Sequence, residues 1–312
     1  MLEVKDLTKY FVLNNGRRLW AVNGISFNLR ENEIFGIVGE SGCGKSTLGR
    51  LILRLVEPSG GQVFFGGEEL TGISRDALRP KRKAMQMVFQ NPFASFNPKI
   101  RIGAALTEVC RYYGMSIGDS RERIERLLGD TGLSDDLLNR WPRELSGGQL
   151  QRLAIARSVL SEPSLLIADE PLSALDVSVQ AQLLNLLEEL RSSRSMMMIF
   201  ISHDMNVVEY FCDRVAVMYM GSIMELVPAT ELSRNALHPY TRSLRASAPR
   251  LDVFKDSAGQ TAPIYGETPD PRSHIKGCPF APRCGEAKPV CTETLPELRD
   301  ASPEHWVRCH CL

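Results

Sequence analysis

A nine-residue loop, GESGCGKST at positions 39–47, constrains the fold of this 312-residue chain more than any other feature. It fits the pattern G-x-x-x-x-G-K-[ST], in which glycines let consecutive backbone N–H groups point at phosphate oxygens. The apolar run IFGIV at 34–38 predicts a buried strand before the loop, and LGRLIL at 48–53 predicts a helix after it. This order is typical of a phosphate-binding α/β domain, because the helix N-terminus adds a positive dipole end.

The residues of this loop form the first candidate site. We expect Lys45 to reach the β- and γ-phosphates of a nucleotide, and the Ser46 hydroxyl to ligate Mg²⁺. The predicted nucleotide-binding residues of the loop are Gly39, Glu40, Ser41, Gly42, Cys43, Gly44, Lys45, Ser46 and Thr47.

A second candidate site follows the apolar run LLIA at 165–168, which leads directly into Asp169 and Glu170. Ligands of open α/β sheets collect at the carboxyl ends of strands, so we expect both acids to face the nucleotide. Asp169 suits a Mg²⁺ shell, and Glu170 can polarise or deprotonate the attacking water. The alternative is a pair of acids that cap a turn before Pro171, and the phosphate loop upstream disfavours it.

The string LSGGQ at 145–149 precedes a segment with helical apolar spacing, QRLAIARSVL. Ser146 can serve as the N-cap, and Gly147 and Gly148 allow an anion to approach the backbone closely. With Gln149 they form a second predicted phosphate-binding helix N-terminus. Ser-Gly-Gly is also an ordinary flexible turn, so the prediction depends on the position of this string shortly before the carboxylate strand.

Charge and composition argue against a nucleic-acid-binding protein and against a secreted or membrane-spanning one. Lysine plus arginine and aspartate plus glutamate both number 37, so a nucleic-acid partner is not expected. The basic run RPKRK at 79–83 is interpreted as a solvated turn. Neither a secretory signal nor an apolar run of about 18 residues is visible, so we expect a soluble, cytoplasmic protein.

These motifs, with SALD at 173–176 and ISHD at 201–204, occur in the order found in ATP-binding-cassette ATPases, and the chain resembles that family over nearly its whole length. The resemblance implies an α/β fold, an ABC-type P-loop NTPase core with a helical subdomain. It also implies hydrolysis of ATP with Mg²⁺. In this family two subunits enclose the ATP, with the phosphate loop of one facing the LSGGQ signature of the other.

The resemblance also assigns roles to single residues. Phe11 matches the aromatic residue that stacks on adenine, with Tyr10 as the alternative register. Gln90 matches the glutamine that touches Mg²⁺ and the attacking water and links the site to the membrane partner. His203 matches the histidine that contacts the γ-phosphate, and Asp176 matches the aspartate that crosses the dimer interface.

Three stretches, at 89–103, 170–182 and 237–242, resemble the subfamily that serves oligopeptide and dipeptide importers. The resemblance implies a peripheral ATPase subunit on the cytoplasmic face of the cell membrane. Its implied partners are a second, homologous ABC ATPase subunit, two transmembrane permease subunits and, indirectly, an extracytoplasmic solute-binding protein. Nickel or another small solute is an alternative cargo, and a non-transport ABC ATPase is an alternative function.

The domain organisation follows from these assignments. We predict an ABC nucleotide-binding domain at 1–235, with a helical subdomain at about 91–159, and a small irregular cysteine-rich extension at 236–312. Glycine, proline and serine become frequent at 258–277, which predicts loops there.

Five of the eight cysteines lie in the last 35 residues, and in a reducing cytosol such a group suggests a metal before disulfides. Cys278, Cys284, Cys291 and Cys309 are spaced C-x5-C-x6-C-x17-C, whereas zinc sites usually pair cysteines as C-x2–4-C. Iron–sulfur clusters accept thiolates from looser loops. Members of the resembled subfamily carry a 4Fe–4S cluster at a matching cysteine set. We therefore predict a structural 4Fe–4S cluster, with zinc or free or oxidised thiols as alternatives and Cys311 as an alternative fourth ligand.

Overall fold

The structure, a computed structural model, describes residues 1–14, 16–173, 175–247 and 276–312. Its strands are β1 (Leu2–Val12), β2 (Arg18–Leu29), β3 (Ile34–Val38), β4 (Gly60–Phe65), β5 (Glu68–Glu69), β6 (Met85–Val88), β7 (Leu165–Asp169), β8 (Met197–Ser202), β9 (Arg214–Tyr219), β10 (Ser222–Pro228), β11 (Arg299–Ser302) and β12 (His305–Val307). The segment 258–277, which was predicted to form loops, lies outside the described residues up to position 275.

The α-helices are α1 (Lys45–Ile52), α2 (Arg75–Lys81), α3 (Ile102–Tyr112), α4 (Ile117–Asp130), α5 (Gly147–Val159), α6 (Val177–Arg194), α7 (Met205–Phe211), α8 (Pro239–Ser247) and α9 (Pro289–Glu293). Short 3-10 helices span Pro92–Ser95, Asp135–Asn139, Pro142–Glu144, Ala229–Glu231 and Ala281–Arg283. Over the described ranges, no helix is both long and apolar enough to cross a membrane.

The chain divides into two compact units. The first contains Met1–Leu29, Ile34–Thr71 and Ser202–Leu312, and the second contains Arg30–Glu33 and Gly72–Ile201. The predicted boundaries at 1–235, 91–159 and 236–312 stay predictions.

An antiparallel sheet with the strand order β2-β1-β4-β5 forms one part of the first unit. Leu2 of β1 lies opposite Leu29 on one side and Phe65 on the other. Leu2 and Val4 are buried while Lys5 is exposed, because successive side chains of a strand point to opposite faces. This sheet therefore has one face in the core and one toward solvent.

The remaining strands of the first unit join the phosphate loop to the end of the chain. The strand before the loop, β3, pairs in parallel with β9, and β9 forms an antiparallel pair with β10. On the other side of β10 lies β12, which pairs with β11. All residues of β3 and β9 are buried, as expected for a parallel pair covered on both faces.

Three parallel strands, β6, β7 and β8, form the sheet of the second unit, with Leu165 opposite both Met85 and Met197. Every residue of β7 and β8 is buried, so Met197 and Met198 belong to a core strand, and Met196 directly before them is buried as well. Helices α3, α4 and α5 fall within the segment 91–159, which was predicted to be helical.

The predicted turn at 79–83 is wrong for its first three residues, which belong to α2. Ser74 caps this helix, since its hydroxyl accepts a hydrogen bond from the Ala77 backbone N–H at 3.3 Å. Leu78 is buried and holds the helix against the unit. Packing and capping therefore continue the helix through Pro80, where the sequence pattern favoured a turn.

A fully buried carboxylate, that of Glu225 in β10, ties the C-terminal region to the sheet. It accepts hydrogen bonds from the backbone N–H groups of Leu237 at 2.8 Å and His238 at 3.0 Å, and it lies 2.7 Å from Nε2 of His305 in β12. Burial lowers the pKa of His238 to about 4, so its neutral Nδ1 can accept from the Tyr240 N–H at 3.0 Å. Glu225 thus holds both ends of the described extension.

We expect Glu225→Ala to lower the free energy of unfolding by roughly 3 kcal/mol, because it leaves buried donors without an acceptor. Thermal unfolding measures the loss, and hydrogen exchange should become faster in β12 and around residues 237–240. Glu125→Ala, which removes an exposed ion pair with Arg121 on α4, is the control and should leave the melting temperature unchanged. An unaltered melting temperature in Glu225→Ala would contradict this role.

Candidate functional site

The phosphate loop connects β3 to α1 and packs tightly against the backbone of its neighbours. Gly44, the residue before α1, has φ +106°, and a Cβ at this position would lie 2.0 Å from the carbonyl oxygen of Ala21. A Cβ on Gly39 would lie 2.2 Å from the carbonyl oxygen of Met218. Only glycine fits these two positions, so the loop backbone is held close to β2 and β9.

The side chain of Lys45 is buried and bends back over the loop. Its Nζ donates to the carbonyl oxygens of Gly39 at 2.8 Å and Glu40 at 3.1 Å. Ser46 and Thr47 follow in the first turn of α1, and the N-terminus of a helix favours an anion. The predicted strand–loop–helix arrangement is therefore present, and phosphate binding by these residues stays a prediction.

Cys43 differs from its neighbours Ser41 and Gly42, which are exposed, because its side chain is buried in the loop. Burial raises the pKa of the Cys43 thiol, so the thiol is neutral. Its contribution to the predicted phosphate cradle is consequently limited to its backbone.

The two predicted catalytic acids lie where β7 ends. Asp169 is the last residue of the strand and is 1% exposed, whereas Glu170 is partly exposed and has φ +47°. The Glu170 backbone N–H donates to the carbonyl of Ile201 at 3.0 Å, which fixes the turn. A left-handed backbone at a glutamate is uncommon and directs its carboxylate away from the strand axis.

Gln90, which follows β6, makes a direct contact with this acid. Its Nε2 donates to Oε2 of Glu170 at 2.8 Å. The second unit therefore brings together Gln90, Asp169 and Glu170, three residues that the sequence predicts to act on Mg²⁺ and water. An amide donor on a carboxylate oxygen helps to fix the orientation of the carboxylate.

The LSGGQ signature forms the N-terminus of α5, as predicted. The Ser146 hydroxyl accepts from the Gln149 N–H at 3.2 Å, and the Gln149 side-chain oxygen accepts from the Ser146 N–H at 3.0 Å. This reciprocal pair is a capping box. A Cβ on Gly147 would meet no atom within 4 Å, so the backbone there faces open space.

The remaining predicted residues lie at the ends of strands and helices. Asp176 caps α6 and accepts from the Ser178 hydroxyl at 2.7 Å and the Val179 N–H at 3.0 Å, and these hydrogen bonds lower the pKa of its carboxyl. His203 is exposed directly after β8. Phe11 is 40% exposed in β1.

Tyr10, the alternative to Phe11, has a different environment. Its ring lies 5.3 Å from that of Trp20 and under the guanidinium of Arg18 at 4.4 Å. Phe11 instead presents its ring to Lys9 at 5.1 Å and to solvent. The ring of Phe11 is therefore more exposed than that of Tyr10. Phe11 is also the residue that the sequence favours for stacking on adenine, and this role stays a prediction.

The five tail cysteines interact with one another but do not form a recognisable metal site. Neighbouring thiols interact electrostatically, Cys278 with Cys291 and Cys309, and Cys284 with Cys291 and Cys311. Burial raises the pKa values of Cys278 and Cys309 to about 11, so these thiols are protonated. Within the described ranges, no three histidine, cysteine or acidic side chains are arranged to hold a metal ion. The described residues therefore do not support the predicted 4Fe–4S cluster, because its ligands are not drawn together.

The structure also adds residues that sequence reasoning missed. Tyr240 and Arg283 both hydrogen-bond Glu40 of the phosphate loop. Both occur in the extension, in the strings LHPYTR and CPFAPRC, and nothing in their spacing from residue 40 could indicate the contact.

A glycine-rich loop between a buried strand and a helix, with acids at the end of a parallel strand, defines a nucleoside triphosphatase of the P-loop class. A family model described as ABC transporter matches residues 22–173, and one described as oligopeptide/dipeptide transporter, C-terminal region, matches residues 224–291. The dimeric cassette MJ0796 in a post-hydrolysis state bound to ADP and Pi is similar with a TM-score of 0.68 and 28% identity, over 73% of this chain and 99% of that chain.

Similarity to curated proteins extends over almost the full chain. The oligopeptide transport ATP-binding protein AppF of Bacillus subtilis (strain 168) is 45% identical, with 99% of this chain and 97% of that protein covered. OppF of Escherichia coli (strain K12), which has the same description, is 43% identical, with 99% and 95% covered. The chain therefore belongs to the ATP-binding-cassette family of transporter ATPases. The predictions of family, of the α/β P-loop fold and of ATPase activity are confirmed.

We expect Glu170→Gln to retain ATP binding while turnover falls at least about 100-fold, because the amide cannot accept a proton from water. Equilibrium nucleotide binding and phosphate release measure the two effects. Glu189→Gln, at an exposed position on α6, is the matched control and should keep the wild-type rate. Near-normal hydrolysis by Glu170→Gln would remove Glu170 from the mechanism.

Proposed function

We propose that this chain hydrolyses ATP to drive the import of oligopeptides or dipeptides through a membrane transporter. The observation that carries the peptide assignment is the match of residues 224–291 to the C-terminal region of oligopeptide/dipeptide transporters. Relatives similar over 99% of the chain are named oligopeptide transport ATP-binding proteins, which supports the same cargo class.

The chain's own residues divide the work of hydrolysis. Lys45 and the backbone N–H groups of the phosphate loop bind the β- and γ-phosphates and offset their negative charge. Glu170 orients the attacking water and accepts its proton, while Gln90 holds the Glu170 carboxylate in place. His203 binds the γ-phosphate at the end of β8.

Mg²⁺ is the metal that this chemistry requires, and the predicted ligands are of the chemical type that it prefers. The oxygens of Asp169, Ser46 and Gln90 are the hard ligands that Mg²⁺ prefers, and Asp169 is a buried carboxylate at a strand end. When bound, Mg²⁺ neutralises charge on the β- and γ-phosphate oxygens.

A second cassette subunit is part of the proposal. The open backbone at Gly147 and the capping box at Ser146 would receive the γ-phosphate of ATP bound to the partner chain's phosphate loop. Asp176 would cross the same interface, and Phe11 would stack on adenine. The similar cassette MJ0796 is described as dimeric, which supports pairing, and we propose a homologous, non-identical partner.

We propose that the membrane partners are two transmembrane permease subunits, with a solute-binding protein acting on their outer side. The chain would then lie at the cytoplasmic face of the cell membrane. A cavity of about 340 Å³ lies beside β6 and includes Tyr112, Tyr113 and Arg157 in its wall. Because β6 leads to Gln90, this cavity is the candidate surface by which a permease could influence the site.

Purification of the tagged chain from membranes tests the function. We expect two multi-span proteins to copurify, and we expect the ATPase activity of the reconstituted complex to rise when peptide-loaded binding protein is added. Lys45→Ala should abolish this activity, because the loop then lacks its phosphate-binding cation. Stimulation by a nickel-loaded binding protein but not by peptide would favour a nickel importer, and a chain without membrane partners would favour a non-transport ATPase.

We also propose that the tail thiols bind a 4Fe–4S cluster as a structural staple, with Cys278, Cys284, Cys291 and Cys309 as ligands and Cys311 as the alternative fourth. The concentration of five cysteines in the last 35 residues supports the proposal, and binding requires the thiols to move closer together and to lose their protons.

Protein prepared without oxygen should contain iron and sulfide and should be brown. Cys284→Ser should lose most of both, because one of four ligands is missing, whereas Cys110→Ala, outside the tail, should retain them. Iron and sulfide analysis with visible absorption is the measurement. A colourless, iron-free wild-type protein would refute the cluster, and zinc in its place would support the alternative metal.

A further inference from the structure

The second residue of the phosphate loop is held by the C-terminal extension. The Glu40 backbone N–H donates to the Tyr240 hydroxyl at 3.0 Å. Its carboxylate oxygens both accept from Nη1 of Arg283, at 3.0 and 2.9 Å. Glu40 is therefore fixed at its backbone and at its side chain by two separate segments of the extension.

Glu40 also accepts a hydrogen bond from within the phosphate loop. Nζ of Lys45, the predicted phosphate-binding group, donates to the Glu40 carbonyl at 3.1 Å. A displacement of Glu40 would thus move an acceptor of this lysine and reorient the N–H groups that follow in the loop. Through Glu40, the extension contacts the group on which phosphate binding depends.

Arg283 has little freedom to move by itself. Only 8% of the residue is exposed, Nη1 also donates to the Tyr219 hydroxyl at 3.2 Å, and the guanidinium lies 5.8 Å from the Tyr219 ring and 6.0 Å from the Phe280 ring. Tyr219, Tyr240 and Phe280 are fully buried and pack with ring centroids 4.6 to 5.5 Å apart. Removal of one partner from an ion pair in such surroundings costs more than removal from an exposed pair, because a buried charge is left unpaired.

The conformation of the tail determines where this arginine lies. Arg283 precedes Cys284 directly, and the Cys278 N–H donates to the Cys291 carbonyl at 2.7 Å. A Cβ on Gly277 would lie 2.2 Å from that same carbonyl, so the tail backbone is closely packed here. The packing of this part of the extension therefore sets the position of the Arg283 side chain that contacts Glu40.

We propose that Arg283 is a positioning residue for the phosphate loop: through its ion pair with Glu40, the cysteine-rich tail holds the loop in the conformation that binds nucleotide. The proposal rests on the proposed function of this loop as the ATP site. It gives the extension a role in nucleotide affinity, separate from any contact with substrate or membrane.

Arg283→Gln in the full-length chain tests the proposal. We expect the Kd for MgATP to rise about tenfold, because Glu40 loses a charge-assisted partner and the loop relaxes. In the transporter complex, the KM for ATP should rise by a similar factor while kcat stays within about twofold, since Arg283 touches no reacting atom. Arg283→Lys should recover part of the affinity.

Glu40→Gln tests the same ion pair from its other partner. The Glu40 side chain is only partly buried, so this variant should fold. It should weaken MgATP binding as Arg283→Gln does, and the double variant should be no weaker than either single one. Additive losses in the double variant, or an unchanged Kd in Glu40→Gln, would overturn the proposal.

The control is Arg242→Gln, which removes an exposed ion pair with Glu286 of the same extension. It should leave the Kd unchanged, and an equal loss in this variant would show a general effect of tail destabilisation and overturn the specific role of Arg283. Wild type must bind MgATP and Lys45→Ala must not. If wild type itself fails to bind, both the proposed function and this inference fall, whereas unaltered binding by Arg283→Gln removes the inference alone.

Discussion

The close approach of the phosphate loop to its neighbours is the constraint on which the rest of the nucleotide site depends. Gly44 and Gly39 each lie against a backbone carbonyl, with no room for a Cβ. The path of the loop therefore requires glycine at both positions and is packed against β2 and β9, and β9 in turn pairs with β3, the strand that enters the loop. The position of Lys45 thus depends both on the glycines of the loop and on the pairing of β3 with the distant strand β9.

The predicted site residues fall in both compact units. The phosphate loop and His203 belong to the first, whereas Gln90, Asp169, Glu170 and the signature belong to the second. The first unit carries the lysine and the backbone donors of the phosphate loop, and the second carries two carboxylates, an amide and the backbone donors of the signature helix.

The extension contributes to the nucleotide-binding unit. Strands β11 and β12 of the extension continue the sheet that contains β9 and β3. The buried Glu225 holds the extension by hydrogen bonds at Leu237, near its beginning, and at His305, near its end. From this base Tyr240 and Arg283 reach the phosphate loop. A region recognisable from its cysteines thus contacts the phosphate loop through an arginine and a tyrosine.

The sequence by itself determined the class of fold and most of the candidate site, because the loop at 39–47, the acids after β7 and the LSGGQ signature are local patterns whose geometry follows from glycine, strand ends and helix caps. It did not determine that Gln90 donates to Glu170, nor that Arg283 pairs with Glu40 across 243 positions. It also misread Arg79 as part of a turn, since the packing of Leu78 extends α2. Contacts between residues far apart in the chain depend on strand order and buried packing, which only the tertiary structure decides.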